Sequence, residues 1–283
     1  MTVHTSFSPE EIKTFEPVEK VGLLATINAE GEPHVSLITT LQAKTPTEVI
    51  WGQFTEGLSK RHVLDNPHTA FLILTLDRQL WRGRALYRRF AKEGEDYTMM
   101  NEKPMFRYNT YFGIHTVHYM DLVDHTGRAA LPLARIVPAS ILTRLAKSGA
   151  KTSAADRILN PWSEALINRL DALKFLVAVG DDGFPWIVPL LQCQAADSRR
   201  LAFSTFAYND ELKQLKPGAT VTVLSLTMQM ESVLTRGVFR GFDRHRLVEL
   251  GTIDIDWVYN SMPPKMGQIY PPVPVETVVD FAS

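Results

Sequence analysis

The sequence predicts a mainly β protein with two tandem antiparallel β-barrels in one chain and a few flanking helices. An internal repeat, the same order of strands in each half, and the shortness of the helical segments support this prediction. Antiparallel strands with few helices favour a closed or partly closed barrel over a doubly wound sheet. Each half is small, so we expect the halves to pack as an intrachain pseudo-dimer about a pseudo-twofold axis.

The repeat is clearest in two hairpins. Residues 23–37 read LLATINAEGEPHVSL and residues 175–189 read FLVAVGDDGFPWIVP. Each is a β-rich run, an acidic turn ending in glycine, one residue, a proline and a second β-rich run. Gly31 and Gly183 occupy turn positions that need a positive φ, and the proline two residues later opens the returning strand.

Further blocks repeat in the same order at a spacing of about 150 residues. They are EVIWGQFTEG (48–57) with RRLAFSTFAY (199–208), and HTAFLILTLDRQLWRGRALY (68–87) with ATVTVLSLTMQMESVLTRGVF (219–239). In this comparison Thr55 corresponds to Thr205, near the end of a strand. A helical stretch that a proline stops follows each of these strands.

Helices are expected before each repeat and between the two. The first begins with Ser8 as N-cap, Pro9 at N1 and acidic residues in its first turn. Others are expected at 138–147 and 161–170. The predicted division is an N-terminal barrel at 1–135, a linking helical segment at 136–160, and a C-terminal barrel with an extended Pro-rich tail at 161–283.

Composition excludes several classes of function. Lys and Arg number 30 against 31 Asp and Glu, a formal charge of −1, which argues against nucleic acid as a partner. The single cysteine, Cys193, excludes an intrachain disulfide and a Cys-rich metal site. The N-terminus lacks a secretory signal and no apolar run reaches bilayer length, so we expect a cytoplasmic protein without membrane contact.

The strongest local motif is FTEGLSKR, between the end of a strand and the start of a helix. Gly57 permits a sharp turn and Ser59 is expected to cap the helix, whose N-terminus suits a phosphate. Thr55 and Ser59 add hydroxyl donors, and Lys60 and Arg61 can neutralise a dianion. The alternative is an ordinary capped helix with a solvated basic first turn.

Three segments resemble the pyridoxamine 5′-phosphate oxidase-like FMN-binding split-barrel superfamily: VGLLATINAEGEPHVSLIT (21–39), WGQFTEGLSKR (51–61) and NPHTAFLILTLDRQLWRG (66–83). The resemblance covers most of 18–125 and, more weakly, 172–243. It implies that each half is a split barrel and that the cofactor is FMN. The residues implied are Ser36, Leu37, Ile38 and Thr39 along the flavin ring, Thr55, Ser59, Lys60 and Arg61 at the phosphate, and Gln79 touching the ring.

Two departures limit the resemblance. Asp210 and Glu211 stand in the second half near the position of the first half's basic cluster and would repel a phosphate, so we expect one FMN per chain. No C-terminal Trp…Arg-x-His segment is found, since His245 lies in a basic triplet without that tryptophan. The chain is therefore not expected to be a true pyridoxamine 5′-phosphate oxidase.

Several histidines are weaker candidates. His115 and His118 are three apart on an expected strand, which puts their rings on opposite faces and argues against a shared metal. We therefore expect them to be structural or solvent-exposed, and we predict no metal site. His34 and His62 flank the flavin strand and the helix and are better functional candidates, with packing or surface roles as the alternative.

Two further features remain open between functional and structural interpretations. Arg82 and Arg84 would share one face of a strand near the flavin, either as functional groups or as a solvated pair. Trp257, Tyr259 and Tyr270 lie in an aromatic, Pro-rich C-terminal region. This region is either a lid over the flavin or a tail that covers a barrel edge.

Three functions follow from these observations. The first is an FMN-dependent oxidoreductase acting on a small molecule in the cleft between the two half-barrels, with an electron donor such as NAD(P)H that binds transiently. The second is a flavin-binding electron carrier or sensor, and the third is a haem-binding split barrel. No catalytic residue is assigned, and the chain is expected to be a monomeric pseudo-dimer or a homodimer.

Overall fold

The computed structural model divides the chain into two compact units. It describes residues 3–103, 113–153, 156–229, 231–261 and 266–274. The first unit comprises the chain up to Leu131 together with Val179–Ile187, and the second comprises Pro132–Ala178 and the chain from Val188 onward. None of the helices in these described ranges has the length and apolar character needed to traverse a bilayer.

The first unit is built on one antiparallel sheet of eight strands. In chain order its elements are α1 (Pro9–Phe15), β1 (Lys20–Ile27), β2 (Pro33–Leu37), β3 (Gln42–Thr45), β4 (Glu48–Gln53), α2 (Leu58–Asp65), β5 (His68–Thr75), β6 (Gln79–Ala91), α3 (Glu95–Glu102), β7 (Thr116–His125) and β8 (Ala129–Ala130). The strand order is β2-β1-β5-β6-β7-β4-β3, with β8 beside β6.

The second sheet also has eight strands and lies in the second unit, except for Val179 and residues 185–187, which the first unit includes. The α-helices and strands after β8 are α4 (Leu133–Ala146), α5 (Pro161–Asn168), β9 (Leu173–Val179), β10 (Pro185–Pro189), β11 (Gln194–Ala195), β12 (Arg200–Ser204), α6 (Asn209–Leu212), β13 (Thr220–Leu226), β14 (Ser232–His245), β15 (Val248–Asn260) and β16 (Gly267–Tyr270). The order β10-β9-β13-β14-β15-β12-β11 repeats that of the first sheet, with β16 beside β15. The predicted mainly β fold with two tandem barrel sheets is confirmed.

The repeat extends to individual hydrogen bonds. Ile38 N–H donates to the Gly22 carbonyl over 2.7 Å, and the bond from Leu190 N–H to the Lys174 carbonyl, also 2.7 Å, lies 152 residues later in the chain. The two turn glycines have φ values of 80° and 79°, as the hairpin pattern predicts. This offset of 152 residues defines which positions of the two units are equivalent.

A large apolar core lies inside the first sheet. It draws side chains from six of the strands, with Trp51, Phe71, Trp81 and Met120 among the largest, and each is almost completely buried. Phe15 of α1 joins this core, because the helix begins with the predicted cap and a complete capping box that holds its first turn in place. The barrel interior is thus filled by side chains, and a cofactor must bind on its outside.

The C-terminal region forms a further strand. Strand β16 pairs with β15, with Val258 opposite Tyr270, and Trp257 donates its indole N–H to Gln268 over 3.0 Å. These contacts favour the interpretation in which the tail covers an edge of the sheet. Residues 262–265 and 275–283 of the predicted tail lie outside the described residues.

Candidate functional site

The N-terminus of α2 is the centre of the candidate site. A four-residue connection leads from β4 to α2, and Gly57 is the N-cap, with no side chain accepting hydrogen bonds from the first turn. The prediction that Ser59 caps the helix is wrong, because Ser59 is the second helical residue. Since a glycine cap provides no acceptor, the first-turn N–H groups keep their capacity to bind an anion.

Ser59 joins the helix to the flavin strand proposed from the sequence. Its hydroxyl lies 2.7 Å from the hydroxyl of Ser36, near the end of β2. Ser59 has no exposed surface, so this contact fixes α2 against β2 rather than presenting Ser59 to a ligand. The two segments that the sequence analysis assigned to phosphate and ring are therefore in direct contact.

A pair of histidines extends this hydrogen-bonded group. The His34 Nε2 lies 3.3 Å from the Ser36 hydroxyl, and the His34 ring meets the His62 ring edge-on at 5.2 Å. His62 Nδ1 lies 3.1 Å from the hydroxyl of the fully buried Thr26. Burial lowers the pKa of His62, against the opposing charges of nearby carboxylates. Both histidines, His34 in β2 and His62 in α2, belong to the scaffold of the site.

Two cations follow the cap. Lys60 is half-buried and Arg61 is exposed. Burial lowers the pKa of Lys60 to about 8, although the charge of Glu56 acts in the opposite direction. Cations in the first turn of a helix oppose its dipole, so this arrangement is unfavourable until an anion is bound. Thr55, which is half-buried, lies in the connection that leads into the helix.

The predicted ring segment has two kinds of side chain. Ile38 is 7% exposed and belongs to the barrel core, while Leu37 and Thr39 are half-buried. The backbone turns after β2, where Leu41 N–H donates to the Ile38 carbonyl over 3.1 Å. Ser36, Leu37 and Thr39 are therefore the members of this segment that keep exposed surface, while Ile38 packs into the core.

His118 adds a feature that the sequence analysis missed. Its ring stacks on Trp51 with centroids 3.8 Å apart and planes 7° from parallel, and only 4% of the residue is exposed. His118 Nε2 lies 2.9 Å from the Gln53 amide oxygen and Nδ1 lies 3.3 Å from the Tyr87 hydroxyl. Since an amide oxygen only accepts, Nε2 carries the proton and Tyr87 donates to Nδ1.

Burial, together with the charge of Lys60, lowers the pKa of His118 to about 3, so its ring is neutral. The expected structural role is confirmed in the sense that both ring nitrogens bind protein groups. The chain of hydrogen bonds from His118 to Gln53 continues to Glu56, because Gln53 donates its amide N–H to that carboxylate over 3.1 Å. It thus ends at the carboxylate whose charge acts on Lys60.

Gln79 is not brought to this cluster. It is the first residue of β6, whereas His118 pairs with Phe90, near the other end of that strand. Gln79 lies closer to the predicted flavin segment, because the sheet register aligns Leu37 with Arg82, three residues from Gln79 along β6. Its contact with the flavin ring stays a prediction.

The two arginines of β6 are bound to protein groups. Arg84 forms ion pairs with Asp124 and Asp182. Arg82 donates from Nη1 to the Ile187 carbonyl over 3.2 Å. These partners favour a structural role for the arginines over a solvated pair.

The equivalent region of the second unit is built differently. Thr205 follows Ser204, which the 152-residue offset aligns with Gly52, so Thr205 is equivalent to Gln53 and not to Thr55. Its hydroxyl donates to Glu249 over 3.2 Å, and Lys213 binds the same carboxylate at 2.6 Å. Helix α6 has only four residues and carries two acidic ones. Such a short acidic helix is a poor phosphate site.

No family model matches the chain, and no match to a curated protein was found. Solved structures to which it is similar include an FMN-binding protein from Syntrophomonas wolfei, at 14% identity over 43% of this chain and 86% of that one (TM-score 0.37). A candidate pyridoxamine 5′-phosphate oxidase from Lactobacillus delbrueckii has 15% identity over 44% and 96% (0.35). An F420 reductase has 17% identity over 42% and 98% (0.33).

Proposed function

We propose that this chain is an FMN-binding flavoprotein that acts as an oxidoreductase on a small molecule. The observation that carries the proposal is the N-terminus of α2, which has no side-chain cap, has Lys60 and Arg61 in its first turns, and is joined to β2 by the contact between Ser36 and Ser59. Free N–H groups beside two cations suit a phosphate monoester.

The residues of the first unit fit FMN in charge and donor type. Thr55, Lys60, Arg61 and the first-turn N–H groups of α2 would hold the phosphate, with Ser59 positioning the helix. Leu37 and Thr39 offer side-chain surface for the ring. Bound FMN would supply one- or two-electron chemistry, with NAD(P)H as a transient donor. Haem carries carboxylates rather than a phosphate monoester and fits this cluster less well.

The test compares FMN with riboflavin, which has the same ring system and no phosphate. Titrations followed by flavin fluorescence would give both affinities for the wild type and for the double variant Lys60→Ala, Arg61→Ala. We expect the variant to lose at least about tenfold in FMN affinity, since each charged hydrogen bond contributes about 1.5–3 kcal/mol. Riboflavin affinity should change little.

Two controls lie in the second unit. Lys213→Ala removes the cation that the 152-residue offset aligns with Arg61, and Asp210→Ala removes an acidic residue from α6. Both should leave the preference for FMN over riboflavin unchanged. If they change it as much as the double variant does, the phosphate pocket has been assigned to the wrong unit.

Activity is measured separately, as steady-state oxidation of NAD(P)H with added acceptors. Turnover by the FMN-loaded protein would support the oxidoreductase. Tight FMN binding without turnover would favour the electron carrier or sensor, and a Soret band in the purified protein would favour haem. We do not expect oxidation of pyridoxamine 5′-phosphate, because the sequence lacks a Trp…Arg-x-His segment of the kind that pyridoxamine 5′-phosphate oxidases use to bind their substrate.

A further inference from the structure

A cleft of about 660 Å³ lies in the first unit, and none of its lining residues belongs to the α2 site. Its walls come from the end of α1, from β3 and from α3. Small-ligand sites commonly have volumes of about 300–1,000 Å³. The cleft is therefore large enough for a small organic molecule.

One part of the cleft is apolar. Ile12, Ala43, Ile50 and Met99 line it. Ala43 and Ile50 are almost completely buried at 3% and 0% exposure, so they form a fixed floor, while Ile12 and Met99 are half-buried. This surface suits an aliphatic or aromatic body.

The other part is polar and positively charged. The Lys103 ammonium donates to the Glu16 carbonyl over 2.9 Å and to the Gln42 side-chain oxygen over 2.6 Å, which leaves one of its three donors. Gln42 is only 4% exposed, and its amide nitrogen lies 3.9 Å from the sulfur of Met99. Because a thioether sulfur is a weak acceptor, this amide can still donate to a ligand. Two fixed donors thus remain for an acceptor in the cleft.

Lys20 strengthens this positive region from behind the wall. It is 7% exposed and donates to the carbonyl of Pro17, which lines the cleft. Burial and the charge of Lys103 lower the pKa of Lys20 to about 7, although the exposed Glu19 raises it. Burial also lowers the pKa of Lys103, against the charge of Glu16.

The charge of these lysines is not compensated by a direct partner. Within the described ranges, neither Lys20 nor Lys103 forms an ion pair with a carboxylate, so an anion would relieve their repulsion. Lys44, which also lines the cleft, is different. It is paired with Asp96 at 2.6 Å and with Glu48 at 3.9 Å.

We propose that this cleft binds a small organic acid, whose apolar body lies on Ile12 and Met99 and whose carboxylate accepts from Lys103 and Gln42. A carboxylate has two oxygens, one for each remaining donor. Lys13 and Glu16 also line the cleft, and their opposite charges add no net charge to it, so a single negative charge matches the ammonium of Lys103. The ligand class is therefore a monocarboxylate with an apolar body rather than a sugar or a polyphosphate.

The experiment is calorimetric titration of the purified full-length chain with octanoate, 1-octanol and octylammonium at neutral pH. These probes share an apolar body and differ in charge. Saturable binding of octanoate at one site per chain, with the other two on the order of tenfold weaker or worse, is expected. Equal binding of the three, or no saturable binding of octanoate, would overturn the proposal.

Two matched variants locate the site. Lys103→Gln keeps a hydrogen-bond donor and removes the charge, so octanoate affinity should fall on the order of tenfold. Lys44→Gln removes a charge from the same cleft, but carboxylates already neutralise that charge. Octanoate affinity should change less than about threefold, because exposed paired charges contribute little. Equal losses in both variants would show only general charge attraction. If Lys103→Gln does not fold, the wild-type probe series decides alone.

Discussion

The half-buried ammonium of Lys60 predicts that FMN binding depends on pH. In the free protein, burial lowers the pKa of Lys60 to about 8. A phosphate dianion beside this ammonium would raise that pKa, because an opposite charge favours the protonated form. Lys60 therefore contributes its full share to FMN affinity below pH 8, and the contribution is lost as the pH rises through that value.

The size of the effect follows from the fraction of protonated Lys60. With a pKa of about 8, the side chain is about nine-tenths protonated at pH 7 and about one-tenth protonated at pH 9. The association constant for FMN should then fall about tenfold over this interval, or about 1.4 kcal/mol. The phosphate itself stays dianionic, since its second pKa is about 6.

The assay is fluorescence titration with FMN and with riboflavin at several values between pH 7 and pH 9. The ratio of the two affinities cancels any titration of the flavin ring. Lys60→Arg is the matched control, because its guanidinium stays charged throughout this range and the ratio should become flat. A flat ratio in the wild type, or an unchanged slope in Lys60→Arg, would refute the assignment of Lys60 to the phosphate.

Three further outcomes concern stability. Lys20 has a pKa of about 7 in the folded chain, below its unfolded value, so the unfolded state binds more protons and stability rises with pH. Between pH 7 and pH 9, the free energy of unfolding in urea should rise by about 2 kcal/mol more for the wild type than for Lys20→Met. An equal rise with pH in both proteins would contradict this. His118→Phe keeps an aromatic ring beside Trp51 but leaves Tyr87 and Gln53 without their partner, so urea should reveal a loss of about 1–3 kcal/mol. Gly31→Ala should cost about 1 kcal/mol in thermal unfolding, because φ is +80° and no atom lies within 4 Å of the added methyl group; an unchanged melting temperature would show that the turn adapts.

Local patterns predicted the elements around the site well. The Ser8-Pro9 start of α1 is confirmed with its complete capping box, because a cap depends on residues three positions apart. The proline that opens each returning strand is also confirmed, since β2 begins at Pro33 and β10 at Pro185. These features depend on the backbone preferences of a few neighbouring residues.

The wrong predictions arose where neighbouring positions compete. Gly57 takes the cap position that was assigned to Ser59, two residues later, because both residue types are suited to a helix start and the spacing does not choose between them. The comparison of Thr55 with Thr205 was likewise displaced by two residues. In strands, side chains at that separation lie on the same face, so alternation alone does not detect the displacement.

The sequence by itself determined the tandem β fold, the equivalence of its hairpins and the position of a basic helix start after a strand. These properties follow from periodicity, turn residues and the recurrence of both along the chain. Only the tertiary structure decided that Ser59 binds Ser36 and that His118 stacks on Trp51, where the charge of Lys60 lowers its pKa. Each depends on strands that are distant in sequence and adjacent in the sheet, and local propensity carries no information about such pairing.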